Sequence, residues 1–190
     1  MNKSSIQELI DAGRGTLALL VGRRDAGEYF DLGLRGLAGS LIAFLVAATF
    51  NAFLPVMMGA PAEVQNPAML TPTSAILMVI TLFVVQTAFG ALALRQFGRL
   101  DGLVPYLVAD NWATFYITAL SILLMLLNVS PEISMLMVGV VVLVSEINIA
   151  RLIVTLKPMQ IAMFLIAQLV GILVGLMIVG AFLPDSVLTQ

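Results

Sequence analysis

The sequence predicts an all-α, polytopic membrane protein: a bundle of five transmembrane helices preceded by an amphipathic helix at the membrane interface. Of its 190 residues, 61% are hydrophobic and 11% are charged, whereas soluble domains have roughly 45–50% and about 25%. Five apolar segments are each long enough to cross a bilayer as a helix. The nine Lys and Arg residues lie only near every second connection and therefore on one side of the membrane, which is the positive-inside pattern.

Residues 1–33 are predicted to form a cytoplasmic amphipathic segment. Apolar residues recur there at helical spacing, namely Ile6, Leu9, Ile10, Gly13, Leu17 and Leu20. This stripe predicts a short helix that lies on the membrane surface or on the bundle. Two roles fit such a helix: an interfacial anchor, or a docking helix for a partner.

The transmembrane bundle is predicted over residues 34–184, followed by a short outside tail at 185–190. Its spans are predicted at 37–58, 74–94, 103–127, 133–154 and 159–183. Basic residues precede span 1 and occupy the connections 2–3 and 4–5, so we expect a cytoplasmic N-terminus and an outside C-terminus. Four or six spans would break this alternation.

Three spans carry small or amide side chains on one face, which is typical of close helix packing in lipid. The predicted helix-packing residues are Gly36, Ser40, Ala43, Ala47 and Asn51 on span 1, Gln86 and Gly90 on span 2, and Gln168, Gly171 and Gly175 on span 5. We expect Asn51 and Gln86 to form hydrogen bonds to neighbouring helices. The Gly171-xxx-Gly175 motif favours close packing inside this bundle over dimerisation.

Spans 3 and 4 contain an unusual set of polar residues: Asp110, Asn111, Glu146, Asn148 and Arg151. A charge at the bilayer centre costs roughly 2.5–3.5 kcal/mol on insertion scales, so these side chains need partners, water or the interface. The topology places them in the inner half of the membrane. We therefore predict a contact between Asp110 and Arg151, with the other three side chains nearby.

The start of span 3 affects this prediction. Either the helix begins near Leu103, or the span is Trp112–Leu127 with an interfacial lead-in. We favour the first, because 16 residues are few for a span.

Two interpretations of the polar cluster compete. In the structural one, it fixes the register of spans 3 and 4, or Arg151 extends to the lipid headgroups. In the functional one, it lines a water-filled cavity for a proton, an ion or a lipid headgroup. Glu146 separates the two best, because it is the deepest acid and has no basic partner at helical spacing.

Enzyme signatures are missing from the sequence. It has no Cys and no His, which removes thiol nucleophiles, disulfides and His-based zinc sites. It also lacks Walker-type and dinucleotide glycine loops, HExxH and Gly-x-Ser-x-Gly. We therefore expect a non-enzymatic protein without a cofactor or metal. Nucleic acid is not an expected partner, because acidic residues match the basic ones of the N-terminal segment.

The layout resembles the Yip family (Ypt-interacting-protein-like), small membrane proteins with a cytoplasmic N-terminal segment and five spans. The resemblance covers about residues 30–183 and includes Gly102-Leu-Val-Pro105-Tyr106 at the start of span 3. It implies a non-enzymatic membrane protein and transfers no functional residue.

The first functional hypothesis is an accessory or scaffold protein of a bacterial inner membrane, acting through contacts with lipid and with other membrane proteins. The alternative is a small transporter or channel. Because five spans show no internal repeat, a transport pathway would require a homo-oligomer.

Overall fold

A computed structural model describes residues 5–57 and 72–182 of the chain, and these residues form helices and turns without any strand. The helices are α1 (Ser5–Leu20), α2 (Leu34–Met57), α3 (Pro72–Gln96), α4 (Leu103–Leu126), α5 (Pro131–Asn148) and α6 (Pro158–Phe182). Within this part of the chain, α2 to α6 are long and apolar enough to cross a membrane. The predicted all-α bundle with five spans is therefore confirmed, and the chain is a membrane protein.

Local sequence signals set the helix ends. Ser130 caps α5, because its side chain accepts a hydrogen bond from the Ile133 amide at 3.4 Å, and Pro131 occupies the first helical position. Gly22, with φ +70°, ends α1 by donating to the Leu19 carbonyl while Arg23 donates to that of Ala18. This paired arrangement satisfies two carbonyls that a helix end leaves free.

Small residues on α2 and α6 bring the helices into close contact. The α2 face of Ser40, Ala43 and Ala47 is buried, and α2 packs mainly against α4, whereas α3 packs mainly against α6. At the second interface, a Cβ added at Gly171 would lie 3.0 Å from the Cα atom of Gln86. These faces therefore act within the bundle, where close approach of the backbones drives helix association in lipid.

Gly36 has a different role from the predicted one. A Cβ at this position would collide with the carbonyl oxygen of Asp31. Gly36 is therefore needed because the chain before α2 folds against the first turn of that helix, and its neighbour is not a second helix.

Helix α1 packs against α4 and α5 with a face other than the predicted stripe. Its buried residues include Ala12, Thr16 and Leu19, whereas Ile6 and Leu17 are 72% and 66% exposed. The small side chains of Ala12 and Thr16 let α1 approach the bundle closely, and Leu19 fills the contact, whereas the predicted stripe faces away from the bundle. The exposed apolar stripe suits a helix at the membrane interface.

Two further features concern spans 3 and 4. Helix α4 is continuous from Leu103, as expected for a span that begins there, and Asp110 lies about 10 Å along it at 1.5 Å per residue. Span 4 is not one regular helix. It continues from α5 into a π-helical turn, Ile149–Ile153, in which the Val154 amide donates to the Ile149 carbonyl. The periodicity of an apolar sequence carries no signal for this extra residue per turn.

The predicted tail at 185–190 lies outside the described residues, as do the last residues of predicted spans 1 and 5 and most of the connection between spans 1 and 2.

Replacement of Gly171 by alanine is expected to lower the free energy of unfolding by about 1–3 kcal/mol, because the new methyl group meets helix backbone rather than a flexible side chain. Gly180→Ala, on the same helix with no atom within 4 Å of the added Cβ, is the matched control and should be neutral or slightly stabilising. Unfolding by dodecyl sulfate in mixed micelles measures both. Equal stability of the two variants would contradict the packing described for α3 and α6.

Candidate functional site

The hydroxyl group of Tyr106, on α4, joins three helices. It donates a hydrogen bond to Oε2 of Glu146 on α5 over 3.1 Å, and it accepts one from Nε2 of Gln168 on α6 over 2.8 Å. The Tyr106 ring is buried and lies edge-on to Phe164, with 5.0 Å between ring centroids. Because the hydroxyl both donates and accepts, it fixes the positions of α4, α5 and α6 relative to one another.

Gln86 extends this arrangement to α3. Its Nε2 donates to Oε1 of Gln168 over 3.3 Å. Gln168 therefore accepts from α3 with its carbonyl oxygen and donates to α4 with its amide nitrogen. The resulting hydrogen-bond chain runs through four helices in the order Gln86, Gln168, Tyr106, Glu146.

Asp110 lies at the end of the hydrogen-bond chain. It follows Tyr106 by four residues, so the two share a face of α4. Its carboxyl group and that of Glu146 line the same cavity and lie close enough to interact. Two neighbouring carboxylates repel each other when both are ionised, so a proton shared between them is favoured. Asp110 and Glu146, here called the acid pair, can therefore hold a shared proton within the bundle.

A cavity of about 100 Å³ adjoins the acid pair between α4 and α5. Its polar lining consists of Asp110, Thr114, Thr118, Ser145 and Glu146, and its apolar lining of Ala113, Ile117 and Val142. Ser145 is 2% exposed, and its Oγ has no hydrogen-bond partner. The cavity therefore combines two carboxyl groups with hydroxyl groups, a set of oxygen atoms that suits a proton or a small polar ligand.

The predicted contact between Asp110 and Arg151 is wrong. Asp110 faces Glu146, and the side chain of Arg151 is exposed on the π-helical turn. In a regular helix five residues separate Glu146 and Arg151 by about 140° around the axis, so the two do not share a face. Arg151 instead lies at the surface, where its long stem can carry the guanidinium group to the headgroup region.

The two predicted asparagines also lie apart from the acid pair. Nδ2 of Asn111 donates to Oγ of Ser40 on α2 over 3.1 Å, because consecutive helical residues point about 100° apart. Nδ2 of Asn148 donates to the carbonyl oxygen of Leu19 over 2.8 Å. That carbonyl, in the last turn of α1, also accepts from the Gly22 amide, and its second lone pair receives the bond from Asn148. Asn148 therefore holds α1 against the bundle.

The other predicted amides form bonds between helices. Asn51 donates to Oγ1 of Thr118 on α4 over 3.1 Å, and Gln86 and Gln168 bond to each other. Each lies on a face with small residues, where helices come close enough for short polar side chains to meet.

Tyr106 and Ser145 are functional candidates that the analysis of the sequence missed. The spacing of Tyr106 and Asp110 could have identified the tyrosine, because a hydroxyl group four residues before an intramembrane acid lies on the same face of the helix. Ser145 has no such signal, because a lone serine in an apolar helix usually bonds to its own backbone.

No family model, no curated protein and no solved structure matches this chain.

Tyr106→Phe is expected to lower the free energy of unfolding by about 1–3 kcal/mol, because it leaves buried groups of Glu146 and Gln168 without a partner while keeping the ring. Tyr29→Phe is the control. The Tyr29 hydroxyl makes a long contact of 3.5 Å with Arg23 in an exposed turn, so its loss should change stability by less than about 0.5 kcal/mol. Unfolding of both variants in dodecyl sulfate measures this difference. An equal loss in the free energy of unfolding for the two variants would contradict the expectation.

Proposed function

We propose that this protein is a non-enzymatic accessory or scaffold component of a bacterial inner membrane, with its N-terminus in the cytoplasm and its C-terminus outside. The observation that carries the proposal is the way its polar side chains are used. The bonds Ser40–Asn111, Asn51–Thr118, Gln86–Gln168 and Tyr106–Glu146 each join two helices. Polar groups used in this way favour a bundle of defined shape that presents its outer surfaces to lipid and to other membrane proteins.

The outer surface of α1 supports the same proposal. Five large aliphatic side chains are exposed there, here called the α1 surface: Ile6, Leu9, Ile10, Leu17 and, directly after the helix, Val21. Exposed arginines follow it at positions 23 and 24. Aliphatic groups beside cations suit the boundary between acyl chains and anionic headgroups. Bonds from Asn148 and Tyr116 to α1 carbonyls hold this surface in one place, as contact with lipid or a partner requires.

Topology and family resemblance complete the proposal. Basic residues lie before α2, between α3 and α4, and around the junction of α5 and α6, which supports the cytoplasmic N-terminus. The five-span layout supports a Yip-like organisation. On this proposal the N-terminal segment and the small connections on the same side would meet partners in the cytoplasm.

A second candidate function is a small oligomeric transporter or channel. The specific observation in its favour is the acid pair beside an oxygen-lined cavity between α4 and α5. Ionisable groups inside a membrane bundle frequently mark an ion or proton pathway. A pathway through five helices without a repeat would need more than one copy of the chain.

Extraction into native nanodiscs, followed by mass measurement and identification of the accompanying proteins, separates the two functions. An accessory role predicts a complex with other membrane proteins that Leu17→Gln, on the α1 surface, weakens. Leu100→Gln is the matched control, because Leu100 is also exposed but lies in the turn between α3 and α4, and it should leave the complex intact. A homo-oligomer without other proteins would support the transporter instead, and a lone monomer would contradict the accessory role.

A further inference from the structure

The acid pair has no cationic partner in the described part of the chain. Arg151 follows Glu146 by five residues in the sequence, but its side chain is exposed. Tyr106 donates a hydrogen bond to Glu146 of the pair. In the form that carries one proton, the pair keeps one negative charge. An uncompensated charge in a transmembrane bundle is costly, so this form needs a second proton or a bound cation.

The cavity beside the pair has the size and the lining for such a ligand. Its volume of about 100 Å³ accommodates one small ion together with water, because about 10–15 Å³ of such space is enough for one water molecule. Hydroxyl groups of Thr114, Thr118 and Ser145 line it together with the two carboxyl groups.

Ser145 is an independent sign of a ligand. Its side chain is almost completely buried, it lines the cavity, and its oxygen has no hydrogen-bond partner in the protein. Buried hydroxyl groups are almost always satisfied by protein, water or a bound group. Unlike the acid pair, Ser145 carries no charge, so charge compensation does not explain its position.

We propose that Asp110, Glu146 and Ser145, assisted by Thr114 and Thr118, bind one small monovalent cation. Oxygen atoms of carboxyl and hydroxyl groups are ligands for hard cations. A divalent ion usually takes more carboxylates, and the described residues contain no cluster of three or more acidic, His or Cys side chains. The site is separate from the α1 surface, so it goes beyond the accessory function and does not depend on it.

Thermal unfolding of the full-length protein in nanodiscs of zwitterionic lipid tests this proposal. Sodium chloride should raise the unfolding midpoint of the wild-type protein more than choline chloride at the same ionic strength, because a ligand that binds the folded state stabilises it. Glu146→Gln and Asp110→Asn should abolish the difference between the two salts, and Ser145→Ala should reduce it.

Two matched controls lie on the same helix. Glu132→Gln removes an exposed acid from the first turn of α5. Ser134→Ala removes another buried hydroxyl without a partner, which does not line the cavity. Both controls should keep the full sodium effect. Loss of the effect in the controls to the same extent as in the site variants would overturn the proposal.

The wild-type protein provides a test that needs no variant. The sodium NMR signal should broaden in the presence of nanodiscs that contain the protein, relative to empty nanodiscs, and excess lithium should reverse the broadening. Equal signals with and without protein, together with equal unfolding midpoints in the two salts, would overturn the proposal.

Discussion

The hydrogen bonds at the hydroxyl group of Tyr106 join the two halves of the bundle. On one side lie α3 and α6, connected through Gln86 and Gln168; on the other lies α5 with Glu146. In lipid, helices gain little from burying apolar side chains against each other, so packing of small residues and polar bonds between helices hold a bundle together. The Tyr106 bonds also orient Glu146 towards Asp110, and the candidate site therefore depends on them.

The same physics explains the orientation of α1. On the surface of a soluble protein, the large aliphatic side chains of an amphipathic helix would face the core. Here small residues face the bundle and the aliphatic stripe faces outward. Ala12 lets α1 approach its neighbours closely, whereas Leu17 points away from them. Apolar residues fill most of the interior, and the buried polar groups there, such as Asn111, bond to one another because lipid cannot satisfy them.

Hydropathy, connection lengths and the distribution of Lys and Arg are sufficient to predict the five spans, because length and composition determine whether a helix can cross a bilayer. The sequence also identifies the polar residues that need partners. It does not identify the partners, since these depend on how each helix is rotated about its axis. Asp110 and Asn111 are neighbours in sequence and contact different helices, and the π-helical turn changes the direction of Arg151. Pairing by depth alone therefore joined Asp110 to the wrong residue.

A double-mutant cycle between Tyr106→Phe and Glu146→Leu tests most directly whether the Tyr106 bond couples the helices. Its coupling free energy, measured from dodecyl sulfate unfolding, is predicted to be about 0.5–3 kcal/mol, as for residues in one hydrogen-bond network. The cycle of Tyr106→Phe with Glu132→Leu, an acid at the far end of α5, is predicted to be additive within about 0.3–0.5 kcal/mol. Additivity in the first cycle as well would contradict the account, because Tyr106 and Glu146 would then contribute independently to the free energy of unfolding.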